Sequence, residues 1–146
     1  MNTGVFYMYR DGSNCKQAEF VIMRGAITEA EKRLIQGNLD PDGGFIPSQV
    51  GLRDLQINPA AHRTEMIVGV DHVWHLLGCE DMELTGREAT VDLDVHEWAK
   101  QFDGIIWDES AAQERTGLKA ALLEITLDEI ARDKARQVSH GKDQAE

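Results

Sequence analysis

Residues 71–81, DHVWHLLGCED, hold the densest set of reactive side chains in the sequence. Two imidazoles, one thiol and three carboxylates fall within this single stretch. Histidine nitrogens, thiolates and carboxylates are the ligands that zinc and similar ions take in proteins. The candidate ligands are Asp71, His72, His75 and Cys79. One hypothesis is therefore a small metal-binding protein or metal-dependent enzyme that uses this region.

The secondary structure of this stretch decides whether its two histidines can share an ion. Residues three apart lie on one face of a helix but on opposite faces of a strand. The valines around Gly69 favour one or two strands within residues 65–78. One face of the strand would then carry Asp71, Val73, His75 and Leu77, and the other Val70, His72, Trp74 and Leu76. A metal site requires a helix or a bulge here; otherwise one histidine is packed and the other lies at the surface.

Other motifs give weaker indications of chemistry. DPDGGF, from Asp40, resembles the start of a calcium loop, but Phe45 occupies the position that requires glycine, so we predict a turn. A helix start explains Glu97 as a capping residue, and an acid–base pair built on His96 would be unspecific. The chain contains no GxSxG or HExxH motif and no phosphate-binding glycine loop. We predict no catalytic residue and no cofactor.

The formal net charge of −11 is concentrated in the middle of the chain. Residues 76–117 contain three basic and eleven acidic side chains. The residues predicted to bind a partner are Glu80, Asp81, Glu83, Asp92, Asp94, Asp103, Trp107, Asp108 and Glu109. Trp107 is included because tryptophan is enriched at the energetic centres of protein interfaces.

This acidity has two interpretations. It can be a solvated face that keeps the protein soluble, or it can occupy a basic groove in place of nucleic-acid phosphates. Direct binding to nucleic acid or to an anionic membrane is disfavoured, because both carry negative charge. The leading hypothesis is a small, acidic, non-enzymatic protein-binding domain. In its most specific form, the protein is an inhibitor that occludes the basic nucleic-acid-binding surface of a partner complex.

The size of the chain fits one domain. Its 146 residues predict a single domain over residues 1–138 and a flexible polar tail over 139–146. No stretch is long and apolar enough for a transmembrane helix, and the first residues do not resemble a secretory signal. Two cysteines are too few for a disulfide scaffold, so we expect a cytoplasmic protein. A homo-oligomer formed through the helix over residues 118–130, or through an edge strand, stays an open alternative.

Local signals predict the elements that must position these residues. Residues 4–10 and 18–25 indicate a β-hairpin. Thr28 and Glu31 have the spacing of a capping box, so a helix should follow them. Residues 44–63 are expected to form a structured loop with a short helical turn near Ser48.

The second half of the chain contains two further helix signals. Asp94 starts a predicted helix over residues 95–102, with Leu93 and Trp98 at the positions of a hydrophobic staple. A longer helix begins at Leu118, and its apolar face carries Leu122, Ile125 and Ile130. The sequence therefore predicts a single α+β domain with a small, mostly antiparallel sheet and about three helices.

Overall fold

The computed structural model describes residues 1–57 and 65–144, with side chains up to residue 136. Its strands are β1 (Asn2–Arg10), β2 (Lys16–Met23), β3 (Gly44–Phe45), β4 (His75–Leu77) and β5 (Glu83–Thr85). Its α-helices are α1 (Glu29–Gly37), α2 (Val95–Lys100), α3 (Glu109–Thr116) and α4 (Leu118–Gln144). In the described residues, short 3₁₀ helices cover Pro47–Val50 and Cys79–Asp81. The prediction of an α+β fold with a small antiparallel sheet is confirmed.

Strand β1 lies at the centre of the sheet. It pairs along its length with β2, while β4 and β5 share its other edge and β3 pairs with β4. Every one of these pairings is antiparallel, as expected for strands joined by hairpins and short connections. The alternation of side chains along β1 buries Val5, Tyr7 and Tyr9 on the inner face. The predicted N-terminal hairpin is therefore confirmed.

The core lies between the inner face of the sheet and helices α1 and α2. Aromatic rings form its middle: Trp98 and Phe102 meet edge to face with 4.9 Å between ring centroids. Trp107 contacts both Phe102 and Phe45 in the same geometry. Such pairs add to the free energy gained by burying the rings. The long aromatic side chains thus join the segment after α2 to the sheet.

The two predicted helix starts are present, with one difference at α2. Thr28 and Glu31 each accept the other's backbone N–H, which completes the capping box of α1. Asp94 caps α2 by accepting the backbone N–H groups of His96 and Glu97. The side chain of Glu97, however, binds Lys100 one turn later rather than capping the helix. The prediction of a capping role for Glu97 is therefore wrong, because a cation is within reach of its carboxylate.

The predicted strand over residues 65–78 is much shorter than expected. Only residues 75–77 belong to the sheet, because a turn precedes them. The backbone N–H groups of Val70 and Asp71 both donate to the Ile67 carbonyl, and Gly69 takes a positive φ of 83°. The alternation of burial nevertheless holds through residues 71–77, although only the last three of them form a strand. Its buried positions are Asp71, Val73, His75 and Leu77.

Helix α4 leaves the body of the protein after its first turn. Leu118 is buried, whereas all residues from 122 to 136 are exposed. The apolar face predicted for this helix is therefore largely uncovered. The helical backbone continues to Gln144, and the flexibility predicted for the tail stays a prediction. In the described part of the chain, no helix combines the length and apolar character that crossing a membrane requires.

The contrast between core and surface aromatics gives a first prediction. Phe102 is fully buried, so Phe102→Ala should lower the free energy of unfolding by about 3–5 kcal/mol. Phe20, on the outer face of the sheet, is 43% exposed, and Phe20→Ala should cost about 1 kcal/mol or less. Urea unfolding followed by circular dichroism measures both values. Equal losses would contradict the placement of the core.

Candidate functional site

His72 lies beside the end of β1, and both of its ring nitrogens bind backbone groups. Its Nδ1 accepts the Trp74 N–H at 3.1 Å. Its Nε2 therefore carries the proton and donates to the Arg10 carbonyl oxygen at 2.7 Å. An imidazole held in this way fixes the conformation of the chain but offers no lone pair to an ion.

His75 is fully buried, and its ring nitrogens also bind backbone. Its Nε2 accepts the Leu55 N–H at 2.9 Å, so the proton lies on Nδ1, which faces the Val73 carbonyl oxygen at 3.2 Å. Burial lowers the pKa of His75 to about 4, because a buried imidazolium would lose its hydration. His75 is therefore neutral near pH 7 and joins β4 to the segment that contains Leu55.

Asp71 is held by Tyr9 and by its own turn. The Tyr9 hydroxyl donates to one oxygen of the Asp71 carboxylate, and the Ile67 N–H donates to the other at 2.8 Å. The Tyr9 ring lies between the two imidazoles, with centroids 5.0 Å from His72 and 5.3 Å from His75. The side chains that suggested a metal site thus form hydrogen bonds that attach residues 67–75 to β1.

Cys79 lies apart from the two histidines. It is buried at the wall of a groove of about 360 Å³ that Leu39, Asp40 and Asp81 also line. Burial raises the pKa of the Cys79 thiol to about 11. Among the residues that the structure describes, no three His, Cys, Asp or Glu side chains are grouped so that they could hold a metal ion. The geometry therefore does not favour the metal hypothesis.

His96 forms a side-chain hydrogen bond between two helix starts. Its Nδ1 lies 2.9 Å from Oε2 of Glu31, and its Nε2 faces Gly25, where a Cβ would approach to 3.1 Å. Burial alone would raise the pKa of Glu31, but the Thr28 backbone N–H and His96 outweigh it and lower that pKa. This contact holds the first turns of α1 and α2 together.

The nine residues predicted to bind a partner lie in four places. Glu80 and Asp81 follow β4, Glu83 is in β5, Asp92 and Asp94 precede α2, and Asp103, Trp107, Asp108 and Glu109 lie between α2 and the start of α3. The first and last of these groups adjoin the C-terminal end of α1. Leu39 and Asp40 line the groove with Glu80 and Asp81, and the neighbouring Asn38 binds Gly104 and Trp107.

Two of the carboxylates have a structural role. Asp94 caps α2, and Asp108 caps α3 by accepting the Ala111 N–H at 2.9 Å. The hydrogen bond from the Glu97 backbone N–H is the largest effect on the pKa of Asp94 and lowers it. Desolvation opposes this effect, and the His96 backbone N–H adds to it. Asp92 pairs with Arg24 at 2.7 Å on an exposed surface, where such pairs contribute little to stability.

Residues 103–109, here named the acidic loop, present one apolar side chain to solvent. Ile106 is 85% exposed and lies between exposed Asp103, Asp108 and Glu109. The side-chain amide of Gln49 holds the loop with two hydrogen bonds: its Nε2 donates to the Ile106 carbonyl oxygen, and its Oε1 accepts the Asp108 N–H. Sequence reasoning missed Ile106, because an isoleucine beside a tryptophan in GIIW is typical of a buried segment.

Trp107 points the other way. Its ring is half-buried against Phe45 and Phe102, and its Nε1 donates to the Asn38 carbonyl oxygen at 3.0 Å. The tryptophan therefore anchors the acidic loop to the body, while the side chain of its neighbour Ile106 is exposed to solvent.

Comparisons of the chain with models of known protein families, with curated proteins and with solved structures gave no match.

The burial of His75 predicts a specific loss of stability in acid. Its pKa is depressed from the usual 6.5 to about 4, so between these values the unfolded chain binds a proton that the folded chain does not. Its contribution is intact above pH 6.5 and falls by roughly 3 kcal/mol as the pH drops to about 4. In His75→Gln, which cannot titrate, urea unfolding across this range should show a shallower pH dependence than in wild type. If the unfolding free energies of the two proteins changed in parallel with pH, the proposed contribution of His75 would be contradicted.

The two thiols should differ in reactivity. Cys15 is exposed, whereas Cys79 is buried with a raised pKa, and the thiolate is the reactive form. A thiol reagent at neutral pH should therefore modify Cys15 quickly and Cys79 only after the protein unfolds. Cys15→Ser should remove the fast reaction. A persistent fast reaction in that variant would show that the groove wall exposes Cys79.

Proposed function

We propose that this protein is a small, acidic, non-enzymatic protein-binding domain, and that the acidic loop is the centre of its binding surface. The partner is a basic protein, and binding occludes a surface with which that protein otherwise contacts nucleic acid. The proposal depends on one observation above all, the exposure of Ile106 among carboxylates.

An exposed isoleucine on a fixed loop suits an interface. Burying this side chain in a partner's pocket would remove apolar surface from water and so make the free energy of binding more favourable. The hydrogen bonds from Gln49 hold the loop before binding, so less conformational entropy is lost on association. An apolar centre with a polar rim is also the common arrangement of protein interfaces.

The carboxylates around Ile106 indicate the chemistry of the partner. Asp103 and Glu109 are exposed at the two ends of the acidic loop, and Asp108 lies between Ile106 and Glu109. Opposite charges across an interface speed encounter and exclude partners of the wrong charge. Because lysine and arginine side chains that bind phosphates also bind carboxylates, a nucleic-acid-binding surface fits this loop.

Affinity capture tests the importance of Ile106. The tagged full-length protein, wild type or Ile106→Ser, is incubated with extract from its native host in about 0.05 M and about 0.5 M salt. We expect the wild type to capture a basic nucleic-acid-binding protein at low salt, and both high salt and Ile106→Ser to reduce the yield at least about tenfold. Ile67→Ser is the matched control, because Ile67 is 55% exposed outside the loop.

Charge variants separate a specific surface from general acidity. Asp103→Asn, Asp108→Asn and Glu109→Gln remove the loop's charge, and asparagine at position 108 preserves the helix cap. The control set, Glu65→Gln, Glu88→Gln and Glu97→Gln, removes the same charge from exposed positions elsewhere. Equal weakening by the two sets, or normal capture by Ile106→Ser, would refute the proposed surface.

Competition tests the occlusion itself. Once the captured partner is purified, its binding to a fluorescent nucleic acid is measured by anisotropy while this protein is added. Displacement by wild type and not by the loop-charge variant is expected. A ternary complex of this protein, the partner and the nucleic acid would be consistent with a protein-binding domain but would exclude an inhibitor that acts by occlusion.

A further inference from the structure

Helix α4 projects beyond the fold with apolar side chains that nothing covers in the described part of the chain. It packs on α3, and among its described side chains Leu118, in the first turn, is the buried one. Five large aliphatic residues beyond that point are exposed: Leu122, Leu123, Ile125, Leu127 and Ile130. An isolated helix in water gains little stability by itself, and packing of an apolar face normally provides it.

The charges of α4 are arranged in two halves of opposite sign. From Leu118 to Ile130 the helix carries one basic and three acidic residues. From residue 131 to residue 136 it carries three basic residues and one acidic residue. The sign changes close to the midpoint of the 27-residue helix. A helix with this pattern is complementary in charge to an antiparallel copy of itself.

We infer that α4 pairs with α4 of a second copy of this chain, antiparallel, about a two-fold axis near Ile130. In this arrangement the acidic half of each helix faces the basic half of the other. The two helix dipoles are antiparallel, which is also favourable. Leu123 and Leu127 of one helix lie on the same face as Ile130 and then pack against the other's second half, where the Lys134 stem, one turn after Ile130, adds apolar surface. This inference is independent of the proposed function.

Sedimentation equilibrium of the full-length protein tests the pairing. Wild type should be a dimer at micromolar concentration, and Ile130→Asp should raise its dissociation constant by roughly a hundredfold, since symmetry places both changes at the axis. Leu84→Asp, at an exposed leucine on β5, should leave the dimer intact. Circular dichroism checks that each variant keeps its fold. A monomeric wild type, or a dimer indifferent to Ile130→Asp, would overturn the inference.

Cross-linking tests the direction of the helices. In a Cys15→Ser background, a cysteine is placed by Ile130→Cys or by Leu123→Cys and treated with a short bis-maleimide. Antiparallel pairing brings the two copies of position 130 together and separates the two copies of position 123. We expect a covalent dimer from the first variant only. Efficient cross-linking of both would indicate parallel helices and contradict the antiparallel axis.

Discussion

The pairing of β1 on both edges is the constraint on which the rest of the molecule depends. Pairing on both edges fixes β1 at the centre of the sheet, and the core residues of α1 and α2 cover its inner face. The tyrosines on that face therefore become core residues with polar ends. A buried phenol requires a hydrogen-bond partner. Tyr7 reaches the Arg53 carbonyl oxygen at 2.7 Å, and Tyr9 reaches Asp71. These two bonds bring separate loops to the same strand.

The Tyr9–Asp71 contact explains why reactive side chains accumulate in residues 71–81. A turn that closes next to the end of a strand leaves several backbone groups that need partners. The side chains of Asp71 and His72 are the hydrogen-bond partners of these backbone groups, and His75 accepts the Leu55 N–H inside the core. The residue types that suggested a metal site are thus those that a polar, partly buried junction requires. The neutral imidazole of His75 suits this junction, because an unpaired buried charge would be costly.

Features that depend on near neighbours in sequence were predictable, and features that depend on distant ones were not. The hairpin, the capping box of α1 and the Asp94 cap follow from residues within a few positions of each other. The in–out alternation predicted for residues 71–77 also agrees with their burial, although only residues 75–77 form a strand. The short length of β4 was not, since it depends on a turn held by Tyr9. The exposure of Ile106 depends on Gln49, which is 57 positions away.

The helix caps have a consequence for how this sequence can vary through evolution. A cap requires an oxygen that accepts backbone N–H groups, and Asp, Asn, Ser and Thr all provide one. The fold alone therefore favours these residue types at positions 94 and 108, whatever the protein binds. Asp103 and Glu109 have no such role in the fold. If the proposed interaction exists, loss of acidity at positions 103 and 109 with an acceptor retained at 108 would therefore mark a lineage that kept the fold and lost the interaction.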